Sequence, residues 1–136
     1  MATLSSALTT ARQRRRPVLV LGPQRDPKEL TRELEAALGH QVTRLDCTAA
    51  CPPAAEIRDR FAKGLKKGRA LHVACARELP ALLRDALLAV ISDQKLPDGA
   101  AVDPLGLLVL SARVRRPSEL WEGMSDYLFV HVGAGE

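Results

Sequence analysis

Val18-Leu19-Val20-Leu21-Gly22-Pro23-Gln24-Arg25-Asp26-Pro27-Lys28-Glu29-Leu30 is the stretch on which the fold turns. Consecutive apolar residues closed by Gly-Pro fit a strand covered on both faces, as in a parallel sheet. Residues 24–27 then read as a turn, in which Asp26 suits an N-cap and Pro27 the first helical position. From there Leu30, Leu34, Ala37 and Leu38 recur at helical spacing, and Gly39 is placed to end the helix. A strand, a glycine-started turn and a helix, in that order, form the context that a phosphate-binding loop needs.

Outward from this unit the alternation continues. Val42 and Leu45 mark a second strand that ends at Asp46-Cys47. The turn Cys51-Pro52-Pro53 leads into a helix over about residues 54–66, with Ile57, Phe61 and Leu65 spaced by four and Gly68 as its stop. Ala70 to Cys75 is a third strand, and Leu79-Pro80 opens a helix over about residues 80–92 with Leu83, Leu87, Val90 and Ile91 on one side. A loop over 94–104 precedes a fourth strand at Leu107 to Leu110, a short helix around 117–124 and a fifth strand from Tyr127 to Val132. Residues 1–16 read as a flexible arm with a basic end, and residues 17–136 as one α/β domain. Strands alternating with helices imply a parallel sheet with right-handed crossovers, between helical layers.

The 136 residues suit a single domain. Aromatic residues make up only 3% of the chain, so the core is built from Leu, Val and Ala, and the stacking platforms of single-strand nucleic-acid binders are not provided for. Part of the net charge of +4 sits in Arg12, Arg14, Arg15 and Arg16. Arg14, Arg15 and Arg16 are candidate contacts to a partner; four arginines alone give only weak, salt-sensitive nucleic-acid binding, so a protein is the expected partner. No run approaches the roughly 20 apolar residues of a membrane span. Met1 to Thr10 lacks the apolar core of a signal peptide. Three cysteines, an odd number, do not form a disulfide framework, and the expected location is a reducing cytoplasm.

Against known families, Gly22, Lys28, Glu29 and Leu30 resemble the phosphate loop G-E-x-G-T-G-K-E-L in the AAA+ domain of sigma-54-dependent transcription activators (bacterial enhancer-binding proteins). The stretch from Gly68 to Pro80 is similar to that family's G-G-T-L-F-L-D-E-I-G-E-L-P, with Glu78, Leu79 and Pro80 in register. Leu45-Asp46-Cys47 resembles its V-N-C, and Val109 to Ala112 its V-I-A-A strand; Leu120 to Leu128 resembles F-R-E-D-L-Y-Y-R-L only loosely. The resemblance runs collinearly over residues 17–132 and implies a three-layer, P-loop NTPase-like AAA+ core with a parallel sheet of five strands in the order 5-1-4-3-2.

The departures fall on the chemistry. Arg25 and Pro27 stand where the resemblance puts phosphate-loop glycines, and a proline has no N–H to offer a phosphate. The acidic pair that holds Mg²⁺ and polarises water falls on Ala74 and Cys75, neither a ligand for a hard cation. The family's two arginine positions fall on Trp121 and Tyr127. The loop that engages sigma-54 has no counterpart between Cys47 and Gly68, and neither a helical lid nor a DNA-binding helix-turn-helix is expected. Phosphoryl transfer draws nearly all its acceleration from metal and positioned charge. These losses imply a catalytically inactive protein, a pseudo-ATPase that binds a partner and assembles through the AAA+-type interface as a homo- or hetero-oligomer. No cofactor is expected, with ATP held weakly at most through Gly22, Lys28 and Glu29. The alternative is an ATP-binding regulator of sigma-54-dependent transcription, which draws on the retained Lys28-Glu29-Leu30.

Other candidates read more plainly. Cys47, Cys51, His72 and Cys75 raise a soft-metal or redox question, but their spacing is not that of a zinc ribbon, and small buried thiols are the simpler reading. Glu78 is expected to cap or orient the helix that begins at Pro80, and Trp121 to serve the core or anchor a partner.

Overall fold

The computed structural model describes residues 4–22, 26–96, 99–101, 103, 106–120 and 130–132. Its elements are α1 (Leu4–Arg14), β1 (Val18–Leu21), α2 (Pro27–Leu38), β2 (Val42–Cys47), α3 (Ala54–Gly64), β3 (Ala70–Cys75), α4 (Ala81–Asp93), β4 (Leu107–Ala112), α5 (Pro117–Leu120) and β5 (Val130–Val132). The strands pair in parallel in the order β2-β3-β4-β1-β5. Four strands of four to six residues form the body of the sheet, and the three-residue β5 lies along β1 at its edge.

Side-chain alternation divides the apolar residues between the two faces. Leu19, Leu71, Val73, Leu108 and Leu110 pack against Ile57 and Phe61 of α3 and Leu83 and Leu87 of α4. Val18, Val20, Ala70, Leu107 and Val109 pack against Ala7, Leu8 and Ala11 of α1 and Leu30 and Leu34 of α2. The result is a three-layer α/β fold, with β1, β3 and β4 buried along their whole lengths.

The helix termini follow the local chemistry. The Asp26 side chain accepts from the Lys28 N–H at the start of α2, and Gly39, at φ 76°, ends that helix by donating to Glu35 O. The helix expected over 54–66 stops at Gly64, whose bare Cα lies against Leu71 of β3; an added Cβ would sit 2.7 Å from Leu71 Cβ. Pro80 is the N-cap of α4 and no side-chain hydrogen bond caps that helix, so Glu78 does not have the capping role expected of it. Instead the turn before α4 is fixed by Leu79 N–H, which donates to Leu120 O at 2.9 Å.

Residues 4–14 are the main correction. They form helix α1 rather than a flexible arm. Leu4, Ala7, Leu8 and Ala11 recur at three and four residues and give the helix an apolar stripe, which lies on the sheet with Ala7, Leu8 and Ala11 buried. Two smaller expectations, the helix over 121–124 and the strand over 127–129, lie outside the described residues, as does Trp121.

Replacing Gly64 by Ala is expected to lower unfolding free energy by about 1–3 kcal/mol despite the better helix propensity of alanine, because Leu71 Cβ is fixed to the sheet backbone. Leu82→Ala, on the exposed side of α4, is expected to stay within about 0.5 kcal/mol in the same urea titrations. Equal stability of the two variants would contradict the packing described.

Candidate functional site

In a parallel sheet all carboxyl ends of the strands share one edge, and the loop after β1 opens there. Gly22 is buried and donates its N–H to Ala112 O at 3.1 Å, which ties the start of the loop to the end of β4. Pro23, Gln24 and Arg25 lie outside the described residues. The loop's far end is the first turn of α2, where a helix offers unpaired N–H groups and the positive end of its dipole to an anion.

In this chain part of that offer is taken up internally. Pro27 at the first helical position has no N–H. The Lys28 N–H points to Asp26 Oδ1 at 3.4 Å, and the Leu30 N–H donates to Asp26 O at 3.0 Å as the first helical bond. Glu29 adds a second carboxylate to the first turn. The helix start is therefore complemented by the chain's own acids, which oppose an incoming phosphate. The Lys28 side chain is exposed.

Ala74 and Cys75 lie at the carboxyl end of β3, 1% and 3% exposed. Ala74 sits between Asp46 of β2 and Ser111 of β4 in the register, on the face toward α2, and presents only a methyl group. Cys75 belongs to the opposite face, in the core against α3 and α4, and pairs in register with Cys47. The thiol–thiol hydrogen bond with Cys47, aided by burial, holds Cys75 in the protonated form. His72, three residues back on β3, lies on the other face from both thiols, so no cluster of these residues forms; among the described residues no group of His, Cys, Asp or Glu is arranged to hold a metal. Asp46 is the nearest carboxylate in register. Partial burial pushes its carboxyl up, but hydrogen bonds from Thr48 Oγ1 (2.6 Å) and Thr48 N (2.9 Å), with Arg44 and Arg113 nearby, outweigh it and leave it below the ordinary value.

What the residue pattern did not disclose is a polar chain between the sheet and the start of α2. Ser111 Oγ lies 2.6 Å from His72 Nε2, His72 Nδ1 lies 2.8 Å from Thr31 Oγ1, and Thr31 Oγ1 donates to Pro27 O at 2.9 Å. Because the Thr31 proton is used on Pro27, Thr31 Oγ1 accepts from His72 Nδ1–H, which leaves Nε2 to accept from Ser111. The ring is thus neutral, and burial pulls its pKa down to about 4, with Arg44 adding to the effect and Asp46 opposing it. The signal for this network was a histidine inside an otherwise apolar strand; which polar groups met it depended on the packing of α2.

The remaining predicted residues lie elsewhere. Arg14, Arg15 and Arg16 are exposed at the end of α1, just before β1 begins, and so at the amino edge of the sheet, opposite Gly22, Lys28 and Glu29. Trp121 and Tyr127 lie outside the described residues. No helix among the described residues is long and apolar enough to cross a membrane.

No protein-family model matches the sequence, and no curated protein matches it. Among solved structures, the chain is similar to a point mutant of RuvB from Thermotoga maritima, with a TM-score of 0.63 and 17% identical residues over 96% of this chain and 42% of that one. The chain spans less than half the length of that structure. At this identity the likeness concerns the fold alone; it does not single out the sigma-54 interaction domain.

Neutral His72 has a consequence for stability. Its folded pKa of about 4 lies below its ordinary value of 6.5, so the unfolded chain binds the proton first as the solution is acidified. The stabilisation is complete above pH 6.5 and is lost as pH falls toward 4, by an amount on the order of 3 kcal/mol. Between pH 6.5 and 5, above the range of ordinary carboxylates, urea unfolding is expected to show about half of this loss in the native chain and not in His72→Gln. A flat profile in both would place a charged or solvated ring at position 72.

Proposed function

We propose that this chain is a regulatory protein with an AAA+-type fold that does not hydrolyse ATP and acts by binding, sequestering or inhibiting a partner protein. The observation that carries the reading is the start of α2, where Asp26 and Pro27 fill or remove two of the donors that a phosphate would use. The end of β3 supports it, since Ala74 and Cys75 supply neither a carboxylate for Mg²⁺ nor one to polarise water. With the chemistry removed, what the fold retains is surface, including the face through which AAA+-type domains associate.

A second reading, an ATP-binding regulator of sigma-54-dependent transcription, draws on the exposed Lys28 followed by Glu29 and Leu30. The two part on nucleotide. Under the first reading, calorimetry with ATP and Mg²⁺ gives no binding tighter than roughly 1 mM, equivalent to about −4 kcal/mol. A partner recovered by pull-down then rebinds the purified chain without nucleotide. Micromolar, Mg²⁺-dependent binding that Lys28→Ala abolishes would establish the second reading in place of the first.

A further inference from the structure

At the amino edge of the sheet, away from the loop of Gly22 and Lys28, lies a cavity of about 470 Å³. That size falls in the range of small-molecule sites, roughly 300–1,000 Å³. Its apolar part is formed by Leu65, Val90, Ile91, Leu107 and Leu108. Its charged part brings together Arg12, Arg15 and Arg16 from the end of α1 and Lys67 from the turn after α3, with Asp103 as the one carboxylate among the described lining residues. Among the described lining residues, four cations against one anion leave a surplus of three positive charges around an apolar floor.

Two features show that the wall is built rather than loose. Asp103 Oδ2 accepts from the Lys67 N–H at 2.9 Å, and Asp103 O accepts from the Gly106 N–H at 3.0 Å, which joins the turn before β3 to the approach of β4. Gly106 lies so close to that turn that an added Cβ would be 2.7 Å from the carbonyl carbon of Leu65.

The third feature is a strained arginine. Arg16 N–H donates to Ala11 O at 3.0 Å, the bond that closes a helix C-terminus over a residue in the left-handed region. That residue is Arg15, at φ 54°, where glycine would avoid a cost of about 1 kcal/mol or more. The chain bears this cost at a position whose side chain lines the cavity. Arg12 is partly engaged elsewhere, since its guanidinium donates to Nε2 of His40, whose Nδ1–H donates to Gln41 O at 3.0 Å.

We propose that this cavity binds a small anion with an apolar body, of the class of alkyl or aryl phosphates, with the headgroup at Arg15, Arg16 and Lys67 and the hydrocarbon on Leu65, Val90 and Leu107. The site goes beyond the partner-binding function and lies at the other edge of the sheet from Gly22, Lys28 and Glu29. The test is calorimetry on the full chain with octyl phosphate, inorganic phosphate and octan-1-ol. Octyl phosphate is expected to bind at least tenfold more tightly than either other probe. Arg15→Gly is expected to weaken it by about tenfold, the loss of one charge-assisted contact, without lowering the thermal midpoint. Lys67→Gln is expected to weaken it similarly, and Lys28→Ala to leave it unchanged. Equal binding of the three probes, unchanged affinity in both Arg15→Gly and Lys67→Gln, or tighter binding of a hexaglutamate peptide than of octyl phosphate would overturn the proposal.

Discussion

Everything in this molecule answers to the double-sided burial of β1, β3 and β4. A strand with helices on both faces has no solvent to satisfy a polar side chain, so any such group must find its partner inside the protein. Among the described residues the buried polar side chains are Thr31, His72 and Ser111, and all three belong to one hydrogen-bonded chain. No buried polar side-chain atom among the described residues lacks a partner. The histidine is tolerated because it is neutral and used at both nitrogens. It also fastens β3 and β4 to the first turn of α2, the segment that governs the loop above.

The two edges of the sheet consequently differ in character. At the carboxyl edge, where folds of this type place their chemistry, the chain presents its own carboxylates to the helix start and apolar or neutral groups at the ends of β3. At the amino edge it gathers arginines around an apolar hollow and spends backbone strain on one of them. Charge, strain and cavity coincide at the edge that the resemblance to transcription activators does not concern.

The sheet was legible because its central strands are unbroken apolar runs, and because Asp26, Pro27 and Gly39 punctuate α2 in ways that depend on local backbone chemistry alone. Helix α1 was not, since its stripe is spread over small and polar neighbours and its burial depends on the sheet it lies on. Helix α3 ends at Gly64, and the close approach of that glycine to Leu71 of β3 likewise became visible only in the packed structure. At the candidate site, the identities of Ala74 and Cys75 told what chemistry was missing. That they face opposite sides of the sheet, and that His72 reaches Thr31 and Ser111, needed the register between strands. The cavity at Arg15 was hidden for the same reason, because its lining comes from segments scattered from Ala11 to Leu108.

The strand order also bears on how the chain comes to be folded. β1 pairs with β4 and β5, and Val18 meets Val109 roughly ninety residues later. During synthesis the run Val18–Leu21 therefore leaves the ribosome well before its pairing partner exists. Contacts of such long sequence separation form slowly, and an unpaired apolar strand is prone to aggregate while it waits. β2 and β3, by contrast, are joined through α3 alone and need nothing downstream to pair. The half of the sheet made by β2 and β3 is thus able to assemble first and offer β4 a template, and β1, though early in the chain, is among the last strands to be seated.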